Sequence, residues 1–217
     1  MNKIKVIYDA ARKMRDKDSI KGTLKAEALR GQDKILDHSC SFERNGQSCK
    51  VKGKTMLEAD CDGKKMKLEN TIDLQKEGCS GDKHFHIRHA VHGGCMKGGL
   101  GRITAILGIL SSIKLEEKES GSALLSLQAA DIPEDVKSHI HEMLKQCHEH
   151  HKPEEGGKEH HMCMKELHSM ENMDFTLKLL INDSKEIEKV TVALTGENKD
   201  EDNEKQQLKL EAELCLE

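Results

Sequence analysis

Histidine and cysteine, the residues best suited to bind transition metals, are concentrated in one short stretch of this chain. Residues 139–170 contain eight of the thirteen His residues and two of the eight Cys residues in a sequence of 217 residues. Imidazole and thiolate groups are good ligands for zinc, copper and nickel. The segment KPEEGG (152–157) divides the stretch into two arms with helical spacing. The composition therefore predicts a metal site carried by a helical hairpin.

Four side chains of this hairpin have a spacing that suits a metal site. In the first arm, Cys147 precedes His151 by four residues. In the second arm, His160 precedes Cys163 by three residues. Residues at these spacings share one face of a helix, so closing the hairpin would bring four ligands together, as tetrahedral zinc requires. Copper and nickel are the alternatives, since imidazole and thiolate also bind these metals. The methionines that flank Cys163 would suit copper(I), because thioether sulfur is a soft ligand.

Other His and Cys residues could complete or replace this set. These secondary candidates are His84, His86, His89, His92, Cys95, His148 and His161. If residues 84–91 form a strand, His84 and His86 share one face and could chelate a metal. Four protein ligands would make a structural site, whereas three ligands and a water molecule would allow chemistry. The competing interpretation is that these imidazoles lie on solvated surfaces and bind metal only adventitiously.

The sequence carries no recognisable catalytic signature. His38 and Cys40 share the apolar phase of one strand, but no activating partner or oxyanion site accompanies them. A hydrogen-bonded core histidine, with a cysteine that packs as a small hydrophobic residue, is the simpler interpretation. The glycine-rich segment 92–101 lacks both the phosphate-loop and the dinucleotide-binding patterns, which favours a hinge. We therefore predict a binding protein that is not an enzyme.

The elements that would position these residues are visible as changes in apolar periodicity. Residues 3–16 have apolar side chains at spacings of three and four, which is typical of an amphipathic helix. Period-two alternation predicts strands at 20–28, 36–43, 49–60, 65–74 and 84–91, and again at 175–181, 187–194 and 208–216. Turn signals separate the first strands at Gly31, Asn45-Gly46, Asp62-Gly63 and 78–81. A slip of phase at Glu188-Lys189 indicates a β-bulge.

Residues 97–171, between the two groups of strands, have the pattern of a helical insertion. Ile103–Ile113 has helical spacing, residues 123–130 would add another turn or two, and Asp131 with Pro133 is typical of a helix start. Strands with one apolar and one charged face are typical of antiparallel sheets. We predict a single α+β domain, 1–217: a curved antiparallel sheet of about eight strands with an N-terminal helix, and a helical segment inserted between strands 5 and 6 that covers one face.

This order of elements resembles the lipoprotein-carrier superfamily (LolA/LppX-like), in which helices inserted before the last strands cap a strongly bent half-barrel. The resemblance spans most of the chain and lies in the order of elements and the alternating pattern of the strands, so no functional residue is transferred from it. Independently of the family, the Ile103–Ile113 helix could line a pocket for an acyl chain. Small or flexible inner residues would leave room for such a ligand, namely Gly22, Ala26, Ala28, Gly53, Ala59 and Met66.

Composition and charge narrow the range of partners and compartments. The formal net charge is −4, the basic residues are dispersed, and there is no Trp, which argues against binding of nucleic acid. The longest apolar run, Ile103–Ile113, is too short for a transmembrane segment. Residues 1–16 lack the features of a signal peptide, which predicts a cytoplasmic protein with reduced thiols. The lipoprotein carriers are exported, and this chain would be too if a leader had been removed.

These observations lead to three functional hypotheses. The first is a metal-binding protein that holds zinc, or alternatively copper or nickel, in the His/Cys-rich hairpin. The second is a carrier of a lipid-like apolar ligand in the cavity of the curved sheet. The third is a structural or interaction protein without a small ligand.

Overall fold

A computed structural model of the chain describes residues 2–46, 50–61, 63–75, 99–118, 121–134, 136–138, 170–199 and 205–217. It contains the helices α1 (Lys3–Asp16) and α2 (Gly99–Ser112) and a short 3-10 helix (Ala129–Asp131). The strands in chain order are β1 (Ser19–Arg30), β2 (Asp33–Asn45), β3 (Lys50–Cys61), β4 (Lys64–Gln75), β5 (Lys114–Glu117), β6 (Ala123–Gln128), β7 (Glu171–Ile181), β8 (Ile187–Lys199) and β9 (Lys205–Leu216).

All of these strands belong to one curved, open, antiparallel sheet. Its order is β4-β3-β2-β1-β9-β8-β7-β6-β5. The two groups of strands are joined where β1 pairs with β9, with Gly22 opposite Leu216 and Ala26 opposite Ala212. The predicted curved antiparallel sheet with an N-terminal helix is therefore confirmed. Nine strands in the described residues replace the eight or so that periodicity predicts.

One face of the sheet is apolar and the other is charged, as the period-two alternation predicts. One row of paired residues across the middle of the sheet reads Leu68, Leu57, His38, Ala26, Ala212, Val192, Leu177 and Leu127. We call this side the apolar face. The next row, on the opposite side, reads Lys67, Glu58, Asp37, Glu27, Glu211, Ala193, Thr176 and Gln128. We call that side the charged face.

The helices cover the β5–β7 end of the apolar face. From α1, Val6 and Ala10 are buried in a cluster with Ala123, Leu125 and Ile181. Near α2, a second cluster joins Ile109 and Ile113 to side chains of β6, β7 and the segment after the 3-10 helix, namely Leu127, Ile132, Val136, Phe175 and Leu177. These contacts explain why α1 and α2 lie on the sheet: burying their apolar stripes removes hydrocarbon from water.

A lysine ties the two helices together. The Nζ atom of Lys3 donates hydrogen bonds to the carbonyl oxygens of Ser111, at 2.7 Å, and Ile113, at 2.9 Å. Carbonyl groups at the end of a helix have no partner within the helix, and a cation there also interacts favourably with the helix dipole. The start of α1 is capped in turn by Asn2, whose Oδ1 accepts a hydrogen bond from the Ile4 N–H at 2.9 Å. The positions of α1 and α2 are therefore coupled.

The prediction of helix at residues 123–130 is wrong. Residues 123–128 form strand β6, paired with β5 and β7, and only Ala129–Asp131 are helical. Ala and Leu favour helices, but Ala123, Leu125 and Leu127 alternate and are 1%, 4% and 6% exposed. Burial of one strand face against α1 therefore outweighs the local helix propensity. The segment 97–171 is thus not purely helical, since it also holds the β5–β6 hairpin.

The remaining predictions about helices, strands and the β-bulge are confirmed or lie outside the described residues. The predicted helix Ile103–Ile113 corresponds to α2. The predicted β-bulge is confirmed, because Leu180 pairs with Lys189 whereas Ile181 pairs with Ile187, which leaves Glu188 unmatched. The predicted fifth strand, 84–91, and the helical arms between 139 and 169 lie outside the described residues.

Candidate functional site

The predicted metal ligands all fall outside the described residues. They are Cys147, His151, His160 and Cys163, with the secondary candidates His84, His86, His89, His92, Cys95, His148 and His161. The metal-binding hairpin therefore stays a prediction. Within the ranges that the structure describes, no three His, Cys, Asp or Glu side chains form a group that could hold a metal ion.

Polar side chains interrupt the apolar face on strands β2, β3 and β4. Cys40 lies opposite Thr55, and Thr55 lies opposite Asn70 on the edge strand. His38 is two residues from Cys40 on the same face, and its Nε2 shares a 2.9 Å hydrogen bond with Oγ1 of Thr55. Asn70 is exposed and the other three are half-buried. We call these four residues the polar patch.

Beside the polar patch, the middle of the apolar face has a floor of small side chains. Ala26 is paired with His38 on one side and with Ala212 on the other, and Ala212 is paired with Val192. Both alanines are only half-buried, although they lie on the two central strands. A methyl group at the centre of a packed sheet is normally covered completely, so the partial exposure indicates that the described residues leave space above it. We call Ala26 and Ala212 the alanine floor.

At most of the other small inner residues, protein atoms fill the space that was predicted to hold a ligand. A Cβ atom added at Gly22 would lie 2.8 Å from Cζ of Phe42 and 2.8 Å from Cδ2 of Leu216. The ring of Phe42 therefore occupies the volume that this glycine leaves. Ala28 and Ala59 are each 5% exposed, so they are buried by protein atoms. Of the six residues predicted to leave room, Ala26 fits that role best.

The apolar face continues to the β4 edge, where no helix among the described residues covers it. Leu68 is 44% exposed and Leu74 is 63% exposed, although both belong to the apolar phase of β4. The covered end of the face lies at β5–β7, beneath α1 and α2. The described structure therefore combines a covered end, a shallow alanine floor and an apolar margin around a small polar patch. A largely apolar surface with a few converging polar groups is typical of sites for amphipathic small molecules.

The charged face is held by ion pairs between neighbouring strands. Lys189 lies 2.7 Å from Glu213, and this hydrogen bond holds the pKa of the Glu213 carboxyl below its ordinary value and raises the pKa of the Lys189 ammonium. Cys215 donates to Glu213 at 3.5 Å, and burial followed by this contact raises the pKa of the Cys215 thiol. The thiolate is the nucleophilic and metal-binding form, so it is disfavoured at Cys215. The charged face therefore carries ion pairs exposed to water, and its Cys215 thiol is held in the protonated form.

His38 and Cys40 lie where the sequence predicts, on the apolar side of β2. Thr55 and Asn70 were not singled out by the sequence, although each stands in the apolar phase of its strand. The sequence signal for these two residues is a polar side chain at a position where the alternation predicts an apolar one. Its meaning depends on the register of β2, β3 and β4, which brings the polar residues side by side.

No protein-family model matches this chain, and no curated protein matches it. Among solved structures, the chain is similar to the crystal structure of an N-terminal dehydratase from the difficidin assembly line, with 10% identity over 98% of this chain and 82% of that one. The TM-score of 0.15 is too low to indicate a shared fold. The resemblance to the lipoprotein-carrier superfamily remains a prediction. None of the helices in the described residues is long and apolar enough to cross a membrane.

Proposed function

We propose that this protein binds a lipid-like molecule, with a long apolar body and one polar group, on the apolar face of its sheet. The observation that carries the proposal is the half-buried alanine floor beside the polar patch. An alkyl chain laid over Ala26 and Ala212 would remove hydrocarbon from water on both partners, at about 0.8 kcal/mol per buried methylene. The exposed edge residues Leu68 and Leu74 would extend the apolar contact.

The polar patch would fix the orientation of such a ligand. Asn70 offers amide donors and an acceptor at the exposed margin of the face. The His38–Thr55 pair places a ring nitrogen and a hydroxyl next to the alanine floor. A carboxylate or amide group of the ligand could hydrogen-bond there while its chain lies over the alanines. The roles resemble those of a carrier site, in which apolar contact gives affinity and a few polar groups give direction.

Filling the alanine floor tests this proposal. Replacing Ala212 by leucine places three additional carbon atoms where the ligand chain would lie. We expect the affinity for dansyl-labelled undecanoic acid, measured by fluorescence titration, to fall about tenfold, which corresponds to about 1.4 kcal/mol. Native mass spectrometry of gently purified protein should show the corresponding loss of any apolar species that copurifies.

The matched control is Ala193→Leu, the same substitution one row away on the charged face. Ala193 is also half-buried and pairs with Glu211 of β9. Thermal melting of both variants establishes that each is folded. Equal probe affinity in the Ala212 and Ala193 variants would contradict the proposed site. Absence of probe binding by the unsubstituted protein would instead favour a structural or interaction role.

Binding of zinc, copper or nickel by the His/Cys-rich hairpin is the second candidate function, supported by the clustering of eight His residues within 139–170. We expect protein purified without an affinity tag to contain metal, and the Cys147→Ser/Cys163→Ser variant to lose most of it. Elemental analysis by mass spectrometry measures both. The matched control is Cys40→Ser/Cys215→Ser, because these cysteines lie on strands β2 and β9 of the sheet. Equal metal content in the two double variants would remove the hairpin site.

A further inference from the structure

Both helices carry large apolar side chains that are exposed in the described part of the chain. On α1, Ile4 is 54% exposed and Tyr8 is 63% exposed. On α2, Ile106 is 56% exposed and Leu107 is 58% exposed. The sides of these helices opposite Ile4, Tyr8 and Leu107 pack on the apolar face of the sheet. We call Ile4, Tyr8 and Leu107 the outer helix surface, and exposed apolar residues of this kind mark interaction sites.

The composition of α2 points to a second apolar environment beyond the sheet. In its fourteen residues, Gly99–Ser112, the only charged residue is Arg102. A helix that is apolar on all sides needs apolar contacts on all sides. The sheet supplies contacts for Ile109 and, just beyond the helix, for Ile113. Ile106 and Leu107 are exposed, and no contact of theirs with the sheet is found among the described residues.

The exposed side of α1 adds positive charge to this surface. Ile4, Tyr8, Arg12 and Arg15 follow each other at spacings of four, four and three, so they form one stripe along the helix. All four are exposed, as is Lys5. Arg15 lies 3.0 Å and Arg12 3.9 Å from Asp16, so one carboxylate is shared by two guanidinium groups. The stripe is therefore apolar at one end and basic at the other.

The positive charge of α1 is local, because the whole chain has a formal net charge of −4. When a protein of net negative charge carries a basic, partly apolar helix, an anionic surface attracts that helix. The protein would therefore approach the surface with the helix facing it. Segments that lie in a lipid–water interface typically combine aliphatic side chains, a tyrosine and flanking Lys and Arg residues. A protein groove would match the apolar residues, but it would not explain the flanking cations as simply.

We propose that the outer helix surface docks on the surface of an anionic lipid bilayer. Ile4 and Leu107 would enter the acyl boundary, and Tyr8 would lie at the level of the head groups. Arg12 and Arg15 would contact lipid phosphates. The contact from Lys3 to the end of α2 couples the positions of the two helices. The proposal rests on the proposed function in one respect: a carrier of lipid-like molecules must meet the membrane that supplies or receives them.

The chain contains its own reporter for this contact, since Tyr8 is its only tyrosine and it has no Trp. Vesicles of phosphatidylcholine with phosphatidylglycerol are titrated into the protein, and tyrosine emission and its quenching by iodide are recorded. We expect Tyr8 to become protected from iodide with these vesicles, and much less so with phosphatidylcholine alone. Each basic residue near an anionic surface contributes roughly 1 kcal/mol, so Arg12→Gln/Arg15→Gln should weaken vesicle binding about thirtyfold.

The matched control is Lys52→Gln/Lys54→Gln, which removes two exposed cations from the charged face of β3. This control should bind vesicles as the unsubstituted protein does. Equal weakening in the two double variants, or no protection of Tyr8 by any vesicle, would overturn the docking surface. Binding of the dansyl-labelled probe separates the two proposals, because it depends on the alanine floor and not on Arg12 or Arg15. Loss of docking with retained probe binding would leave the proposed function standing.

Discussion

Replacing Ile181 by alanine is expected to lower the free energy of unfolding by about 2–5 kcal/mol, the range for large-to-small changes in packed cores. Ile181 is 0% exposed and contacts the cluster that joins α1 to β6, with Val6 and Ala10 above it. The cavity would be hard to close, because α1 is held at its start by the hydrogen bonds of Lys3. Urea unfolding followed by far-ultraviolet circular dichroism measures the change.

The matched control is Leu180→Ala, one residue earlier on the same strand. Leu180 points to the charged face opposite Lys189 and is half-buried. Its truncation removes less contact and should cost about 1 kcal/mol. A loss for Ile181→Ala no larger than that for Leu180→Ala would mean that α1 does not pack over β7 as described.

The second large effect is expected at Gly53, the fourth residue of β3. A Cβ atom at this position would lie 2.5 Å from the carbonyl oxygen of Ser41 on the neighbouring strand. That oxygen belongs to the backbone, so it cannot rotate away as a flexible side chain could. Gly53→Ala should therefore force β2 and β3 apart and lower the free energy of unfolding by about 1–3 kcal/mol. Chemical denaturation measures it.

Gly63, at the turn between β3 and β4, supplies the comparison. It has a φ of +79° and nothing lies within 4 Å of an added Cβ. Asn tolerates this left-handed conformation, so Gly63→Asn should change stability by less than about 1 kcal/mol. If Gly53→Ala were as harmless as Gly63→Asn, the close approach of β2 and β3 at Gly53 would be wrong.

Local pattern was sufficient to predict most of this sheet. Alternation marks β1 to β4 and β7 to β9, and the turn at Gly31 and the bulge at Glu188 are also visible in sequence. The predicted helix at residues 123–130 is wrong because Ala and Leu favour helices in isolation, whereas burial between α1 and β7 decides the conformation of residues 123–128. A short run of apolar residues does not carry that information by itself.

The candidate site was harder to predict, because it depends on which strands are neighbours. Ala26 and Ala212 lie far apart in sequence, and only the pairing of β1 with β9 makes them one floor. Likewise, the register of β3 and β4 brings Thr55 and Asn70 side by side. The metal ligands, by contrast, were proposed from spacing alone, and they remain a prediction.

The pairing of β1 with β9 also determines how the chain must be assembled. During translation the meander β1–β4 leaves the ribosome long before β9, the strand that completes the edge of β1. Until β9 is synthesised, one edge of β1 has unpaired amide and carbonyl groups next to an exposed apolar surface. Such an edge favours binding by chaperones and aggregation with other chains. Pairing of two strands so far apart in sequence is slow. We therefore expect the new chain to be most prone to aggregation in the period before β9 pairs with β1.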